Sequence, residues 1–120
     1  DLTEHRLIGF RNQLPNRLVG RDGEGGEFDP RGSNCRLMID DGASLKIATI
    51  AGGGISINSL WSVHREIVDG SLVRILPDYE AAYQSALWLV YPKSNVLTAK
   101  VRVFIDFLLE KIGNSPAWVK

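Results

Sequence analysis

Between Cys35 and Gly70 the spacing of apolar residues switches from that of a strand to that of a helix twice over, which narrows the choice of fold more than any other feature. Cys35 to Ile39 (CRLMI) is a short apolar run of strand length. From Asp41 onward Ala43, Ile47, Ile50 and Ala51 share one helical face, and Asp40 or Asp41 is a natural N-cap. Gly52-Gly53-Gly54 ends this helix, because glycine takes the left-handed C-cap conformation without a Cβ clash. Gly54 to Ile57 then predicts a short strand. Leu60, Val63, His64, Ile67 and Val68 predict a second helix stopped by Gly70, and Leu72 to Leu76, closed by Pro77, one more strand. Strand, helix, strand, helix, strand is an α/β pattern.

The flanking segments extend it. Leu7 to Phe10 predicts a first strand. Arg17 to Gly32 holds five glycines with turn signals at Asp22-Gly23 and Gly25-Gly26, so it predicts a twisted hairpin or two short strands at the surface. After a polar stretch at 78–85, Ala86-Leu87-Trp88-Leu89-Val90-Tyr91 is apolar on both faces, as in a central strand covered on each side. A last helix follows, capped by Thr98, with Val101, Phe104, Ile105, Leu108 and Ile112 in one stripe and Lys100, Arg102, Asp106 and Glu110 outside it. Burying that stripe is worth on the order of 10 kcal/mol before entropy is subtracted. Trp61 and Trp88 are expected in the core. Trp118, beyond Gly113 and Pro116, is expected to be poorly ordered or packed on a neighbour.

Composition excludes several classes. The 120 residues suit one domain, and 44% hydrophobic with 23% charged residues suits a soluble, globular one. The 14 basic and 14 acidic side chains cancel, so these residues have no electrostatic footprint for DNA or an anionic membrane. The lone Cys35 allows no internal disulfide and fits a reducing compartment. With no membrane-length apolar run and no signal-like start at DLTEHRLIGF, a cytoplasmic location is expected.

GSLVRILPDYE followed by ALWLVYPKSNVLTAKVRVFIDFLLEKI closely resembles the end of a LysR-type effector domain. That family ends with a strand and an LP-D turn, an apolar strand closing on YP, and a K-V-R-x-F-I-D-F-L helix. His5 to Arg11, Arg21-Asp22-Gly23, Asp40-Asp41-Gly42 and Gly52 to Ile55 follow the family's order, so the likeness covers nearly the whole chain. Departures are the missing tryptophan near Leu18-Val19 and Asn58-Ser59 where a proline is common. The resemblance implies a periplasmic-binding-protein-like α/β fold with two lobes and a ligand between them. Residues 7–76 would form the second lobe and 77–85 a crossover. Residues 86–112 would be elements of an incomplete first lobe, and 113–120 a tail. A winged helix-turn-helix, a linker helix and half of the effector domain would then precede Asp1.

Under that resemblance Arg11, Asn12, Pro15 and Asn16 lie where the second lobe meets effector. Arginine offers a planar fork of donors suited to a carboxylate or phosphate, and the bland alternative is a surface charge near the hinge. Asp41 and Ser44 open a helix whose free N–H groups favour an anion, although simple helix capping is the leading role for both. Other features carry less. GGGIS follows a helix and precedes a strand, the reverse of a phosphate loop. His64 sits on an apolar stripe and reads as a packed histidine rather than a base. His5 and Cys35 lack metal-ligand spacing, and Cys35 reads as buried, although redox sensing occurs in the family.

The function expected is small-molecule sensing that biases a DNA-bound homo-oligomer, a dimer or tetramer in the full protein. The effector is a small molecule and the arginine favours an anionic one. DNA is contacted only through the absent N-terminal domain, and no membrane, metal or other cofactor is involved. The resemblance also implies pairing between copies that buries the helix near Ala43–Ala51. A solute-binding protein serving a transporter is the alternative. An enzyme is disfavoured, since no nucleophile–base pair, metal set or cofactor motif is present.

Overall fold

The apolar stretch Leu7–Phe10 forms β1, which pairs in parallel with β4, Cys35–Ile39, in the register Ile8 to Leu37 and Phe10 to Ile39. On the opposite edge of β1, Ile55 makes a single parallel bridge to Leu7. Ile8 N donates to the Ile55 carbonyl (2.8 Å) and Ile55 N to the Arg6 carbonyl (2.9 Å). Flanked on both edges, β1 takes up the deepest side chains: Leu7 and Ile8 are 3% and 1% exposed, as a central parallel strand requires. The expected strand from Gly54 to Ile57 is reduced to that one bridge.

The computed structural model describes residues 2–11, 13, 15–82, 88–91, 98–113 and 116–119. Contacts divide the chain into a unit Asp1–Ser85 and a unit Ala86–Lys120.

In the first unit, helix α1, Gly42–Ile50, packs on β1 and β4. Its buried residue is Leu45, with Ala48 and Thr49 half-buried. This corrects the expected face: Ala43, Ile47, Ile50 and Ala51 are exposed, Ile47 by 64%. Two residues turn a helix by about 200°, so aiming Leu45 at the sheet turns Ile47 away from it. Ala51 closes the helix, and Gly52 follows at φ 78, the left-handed position expected of it.

Strands β2, Asn16–Gly20, and β3, Gly25–Phe28, form the expected hairpin. Its turn is held by the Asp22 carboxylate, which accepts from Glu24 N at 3.0 Å. The free edge of β2 takes β5, Tyr79–Ala81, antiparallel, giving the order β3-β2-β5. Here the structure differs from the expected elements: Leu72 to Leu76 is not a strand, and the next strand is β5, within the stretch 78–85. Leu76 sits at φ 51, which breaks the extended chain just before β5, and Tyr79 N returns to the Leu76 carbonyl at 3.0 Å.

Helix α2, Leu60–Val68, buries Val63, with His64 and Ile67 half-buried on the same side. Gly70 follows at φ 82. Trp61 is not core as expected but 54% exposed; it lies one position off the Leu60–Val63–Ile67 row.

The second unit contains α3, Ala99–Lys111, and a single 3-10 turn, Ala117–Val119. Thr98 is the N-cap residue but makes no side-chain cap bond. No residue of α3 is buried: Ile105 and Leu108 are half-covered, while Phe104 is 60% exposed. Of the expected strand at Ala86 to Tyr91, Ala86 and Leu87 lie outside the described residues. Trp88 to Tyr91 are not in a strand, and Trp88, expected in the core, is 82% exposed. A two-faced apolar run becomes a central strand only where neighbours pair with both its edges, and none does so among the described residues. Trp118 is half-buried.

Candidate functional site

The backbone runs of β1, β4 and the Ile55 bridge point the same way, so the segments that leave their carboxyl ends gather on one side. These are Arg11, Gln13 and Pro15 after β1, the start of α1 and the stretch 57–62. In open parallel sheets such ends are where ligands bind. Within the first unit they enclose an open cavity of about 860 Å³, a size that suits a small molecule.

Phe10, Leu45 and Ile57 give the cavity apolar surface, and Leu45 is only 4% exposed. Arg11, Pro15 and Asn16, three of the residues expected to bind ligand, line it. Asn12 lies outside the described residues. Arg11 extends the β1–β4 ladder, its N donating to the Ile39 carbonyl at 2.5 Å. Its guanidinium Nε lies 3.8 Å from Asp40 Oδ2, with both side chains largely exposed. An ion pair this exposed contributes at most about 1 kcal/mol, so an incoming anion can replace Asp40 at the guanidinium. Asn16 opens β2 and is 7% exposed, the one polar residue buried among the cavity's walls. Gln13 closes the turn after β1, its N donating to the Phe10 carbonyl at 3.0 Å and its Oε1 accepting from Phe10 N at 3.4 Å.

Asp41 and Ser44 do not line the cavity, although Gly42 between them does. The Asp41 carboxylate accepts from Ala43 N (3.2 Å) and Ser44 N (2.8 Å). Hydrogen bonding to the Ser44 side chain, then to the Ser44 and Ala43 amides, holds its carboxyl below the ordinary value. These amides are thus occupied by a carboxylate of the chain itself, and a second anion there would meet its negative charge.

Asn58, Ser59, Trp61 and Ser62 form a further wall of the cavity, which the sequence reading does not name. The available signal was topological. Polar residues directly after a strand and at a helix start belong to the same carboxyl edge as Arg11, but locating that edge requires knowing that Ile55 runs parallel to β1. Two hydrogen-bonded links run behind this wall. Lys46 Nζ donates to Glu66 Oε1 (2.9 Å) and to the Ser62 carbonyl (3.2 Å). Thr49 Oγ1 donates to the Leu45 carbonyl (2.7 Å) and lies 2.7 Å from Ser56 Oγ; Ser56 Oγ accepts from Asn58 Nδ2 at 2.6 Å. Glu66 is held below the usual carboxylate value, first by its bond from Lys46.

Cys35 is half-buried, its Sγ 3.5 Å from the Leu37 carbonyl and 3.7 Å from Met38 Sδ. Among the described residues no group of three or more His, Cys, Asp or Glu is placed to hold a metal ion, and no helix is long and apolar enough to cross a membrane.

Comparison with known proteins places this geometry in a family. The regulatory domain of AphB from Vibrio vulnificus, treated with cumene hydroperoxide, superposes with a TM-score of 0.74 at 32% identity, over 92% of this chain and 53% of that one. The HTH-type transcriptional activator TtdR of Escherichia coli is 37% identical over 108 residues, which are 90% of this chain and 34% of that protein. The HTH-type transcriptional regulator PtxR of Pseudomonas aeruginosa is 32% identical over 81 residues, 68% of this chain and 26% of the relative. The chain thus spans about a quarter to a third of these two curated relatives. The fold is the periplasmic-binding-protein-like α/β fold of such regulatory domains. Residues 1–113 match the family model of the LysR substrate binding domain, and the chain belongs to that family.

Proposed function

We propose that the cavity lined by Arg11, Asn16 and the start of α2 receives a small anionic effector, and that its occupancy biases a DNA-bound transcription regulator between arrangements. The observation that carries this reading is the convergence of Arg11, Asn16 and Asn58 on an apolar floor at the carboxyl ends of parallel strands. A few polar groups over apolar surface orient a small ligand, and a guanidinium fork selects a carboxylate or phosphate. In this reading residues 7–76 are the second lobe and 86–112 belong to the first. The DNA-contacting part lies in other regions of a longer cytoplasmic protein, as the names of the HTH-type relatives suggest. Asp41 and Ser44 act as the cap of α1 rather than as ligand contacts. The exposed face of α1, with Ile47 and Ile50 64% and 42% exposed, is where a second copy is joined.

Titration calorimetry of the complete regulator with acetate, succinate, benzoate and inorganic phosphate tests the site. For the anion that binds, Arg11→Ala weakens affinity about ten- to a hundredfold, the worth of a charge-assisted hydrogen bond. Arg11→Lys recovers part of it, keeping the charge and losing the fork. Unchanged affinity in a folded Arg11→Ala variant would return Arg11 to the solvated surface.

A further inference from the structure

Lys46 and Thr49 do not line the cavity, yet from α1 Lys46 reaches Ser62, which does, and Thr49 reaches Ser56, which holds the lining residue Asn58. They are three residues apart, so they stand on adjacent turns of one helix face. Leu45, whose side chain forms part of the floor, precedes Lys46 directly and gives its carbonyl to Thr49 Oγ1. From Lys46, one ammonium spans two groups of α2: the Ser62 carbonyl in the turn that faces the cavity and the Glu66 carboxylate one turn further on. Both partners of that ion pair are mostly covered, the side chains being 26% and 18% exposed. Among the described residues Glu66 Oε2 is buried and has no hydrogen-bond partner, and Lys46 is the cation paired with this carboxylate, through Oε1. From Thr49, the hydroxyl-to-hydroxyl contact with Ser56 fixes the oxygen that receives Asn58 Nδ2, and so the direction in which the Asn58 amide presents its remaining donor and its carbonyl.

We infer that Lys46 and Thr49 are positioning residues for ligand selection: they hold the Asn58–Ser62 wall at a fixed distance from Arg11 without touching what binds between. The inference rests on the reading of the cavity as an effector site. Polar contacts behind a binding wall set its geometry as firmly as the groups in front, because a side chain with one satisfied amide edge can offer only the other. Thr49→Val, which keeps the shape and removes the hydroxyl, releases Asn58. Lys46→Met, which keeps the stem and removes the charge, releases Ser62 and leaves Glu66 buried without a counter-ion.

The test uses the full chain labelled with 5-fluorotryptophan, since Trp61 lies in the held wall and Trp88 and Trp118 belong to the other unit. The Trp61 fluorine resonance is assigned by its loss in Trp61→Phe. Lys46→Met shifts or broadens the Trp61 resonance and leaves those of Trp88 and Trp118 in place, and Lys46→Arg restores it. If Lys46→Met does not fold, Glu66→Gln, which weakens the same link while keeping its shape, gives the same Trp61-specific change. In parallel, Thr49→Val and Lys46→Met weaken binding of whichever of acetate, succinate, benzoate or phosphate the wild type takes, by about two- to thirtyfold. Thr49→Ser retains wild-type affinity. A Trp61 resonance unmoved in a folded Lys46→Met or Glu66→Gln protein overturns the inference. So does unchanged affinity in both Thr49→Val and Lys46→Met. If the wild type binds none of the four anions, the effector reading fails by itself and the fluorine spectra alone decide the role of Lys46.

Discussion

The Asp1–Ser85 unit and the Ala86–Lys120 unit are both rich in large apolar residues, but they use them differently. In the first, Leu7, Ile8, Phe28, Leu45 and Val63 are all nearly inaccessible, and they come from two different sheets and two helices. In the second, α3 carries Val101, Val103, Phe104, Phe107 and Leu109 and buries none of them. Apolar content therefore does not make a core. A side chain is buried when a neighbouring element closes over it, and such closure is what gives the first unit walls around a cavity.

The difference is sharpest under truncation of a phenylalanine. Phe28, 1% exposed, sits at the end of the β2–β3 hairpin, and Phe28→Ala costs about 3–5 kcal/mol through lost transfer energy and the cavity left behind. Phe104→Ala, at a residue 60% exposed, stays within about 0.5 kcal/mol. Urea unfolding midpoints with unchanged slope measure both. Equal losses would mean that α3 is covered after all, and the comparison would collapse.

A smaller effect separates two glycines. Gly54 lies at φ 149, and a Cβ there would collide with the Arg6 carbonyl that receives Ile55 N. Gly54→Ala therefore strains a conformation that is nearly glycine-only and opens the bridge beside β1, at about 1–3 kcal/mol. Gly113 lies at φ 38, just beyond α3, and a Cβ there would also collide, with the Leu109 carbonyl of an exposed helix end. Gly113→Ala frays the end of an exposed helix and shifts the unfolding midpoint less than Gly54→Ala does. A midpoint that moves more for Gly113→Ala would place the structural weight in the second unit.

How much of this could be read from residues alone follows the same division between local and non-local causes. The β2–β3 hairpin, β1, β4 and the extents of α1, α2 and α3 rest on turn glycines, caps and apolar runs, which are local and legible. The burial face of α1 is not, because Leu45 and Ile47 are equally apolar and only the position of the β1–β4 sheet chooses between them. Nor is β5: Tyr79-Glu80-Ala81 has weak strand character and becomes a strand because β2 offers a free edge, while the stronger-looking Leu72–Leu76 finds none. In the cavity, Arg11, Pro15 and Asn16 were legible from the family likeness. Asn58, Trp61 and Ser62 were not, since their common wall exists only once Ile55 lies beside β1.

The two helix starts give the smallest and most selective contrast. Asp41 caps α1 with side-chain bonds to two amides, whereas Thr98 at the start of α3 makes none. Asp41→Ala therefore lowers the unfolding midpoint at neutral pH, and Thr98→Ala leaves it nearly unchanged. The pH dependence identifies the cause. The Asp41 carboxyl is held below its ordinary value of 3.8 in the fold, so its stabilising contribution is fully present above the unfolded value. It is lost as pH falls through the lower folded value. The gap between wild type and Asp41→Ala should accordingly narrow between about pH 5 and pH 2, while the small gap for Thr98→Ala stays flat. Glu66 and Asp69 are lowered in the same direction, by Lys46 and by Ser71, and weaken wild type and variant alike, so the difference isolates Asp41. A gap for Asp41→Ala that persists undiminished at the acid end would mean that the residue acts through its packing or backbone conformation rather than as an ionised cap.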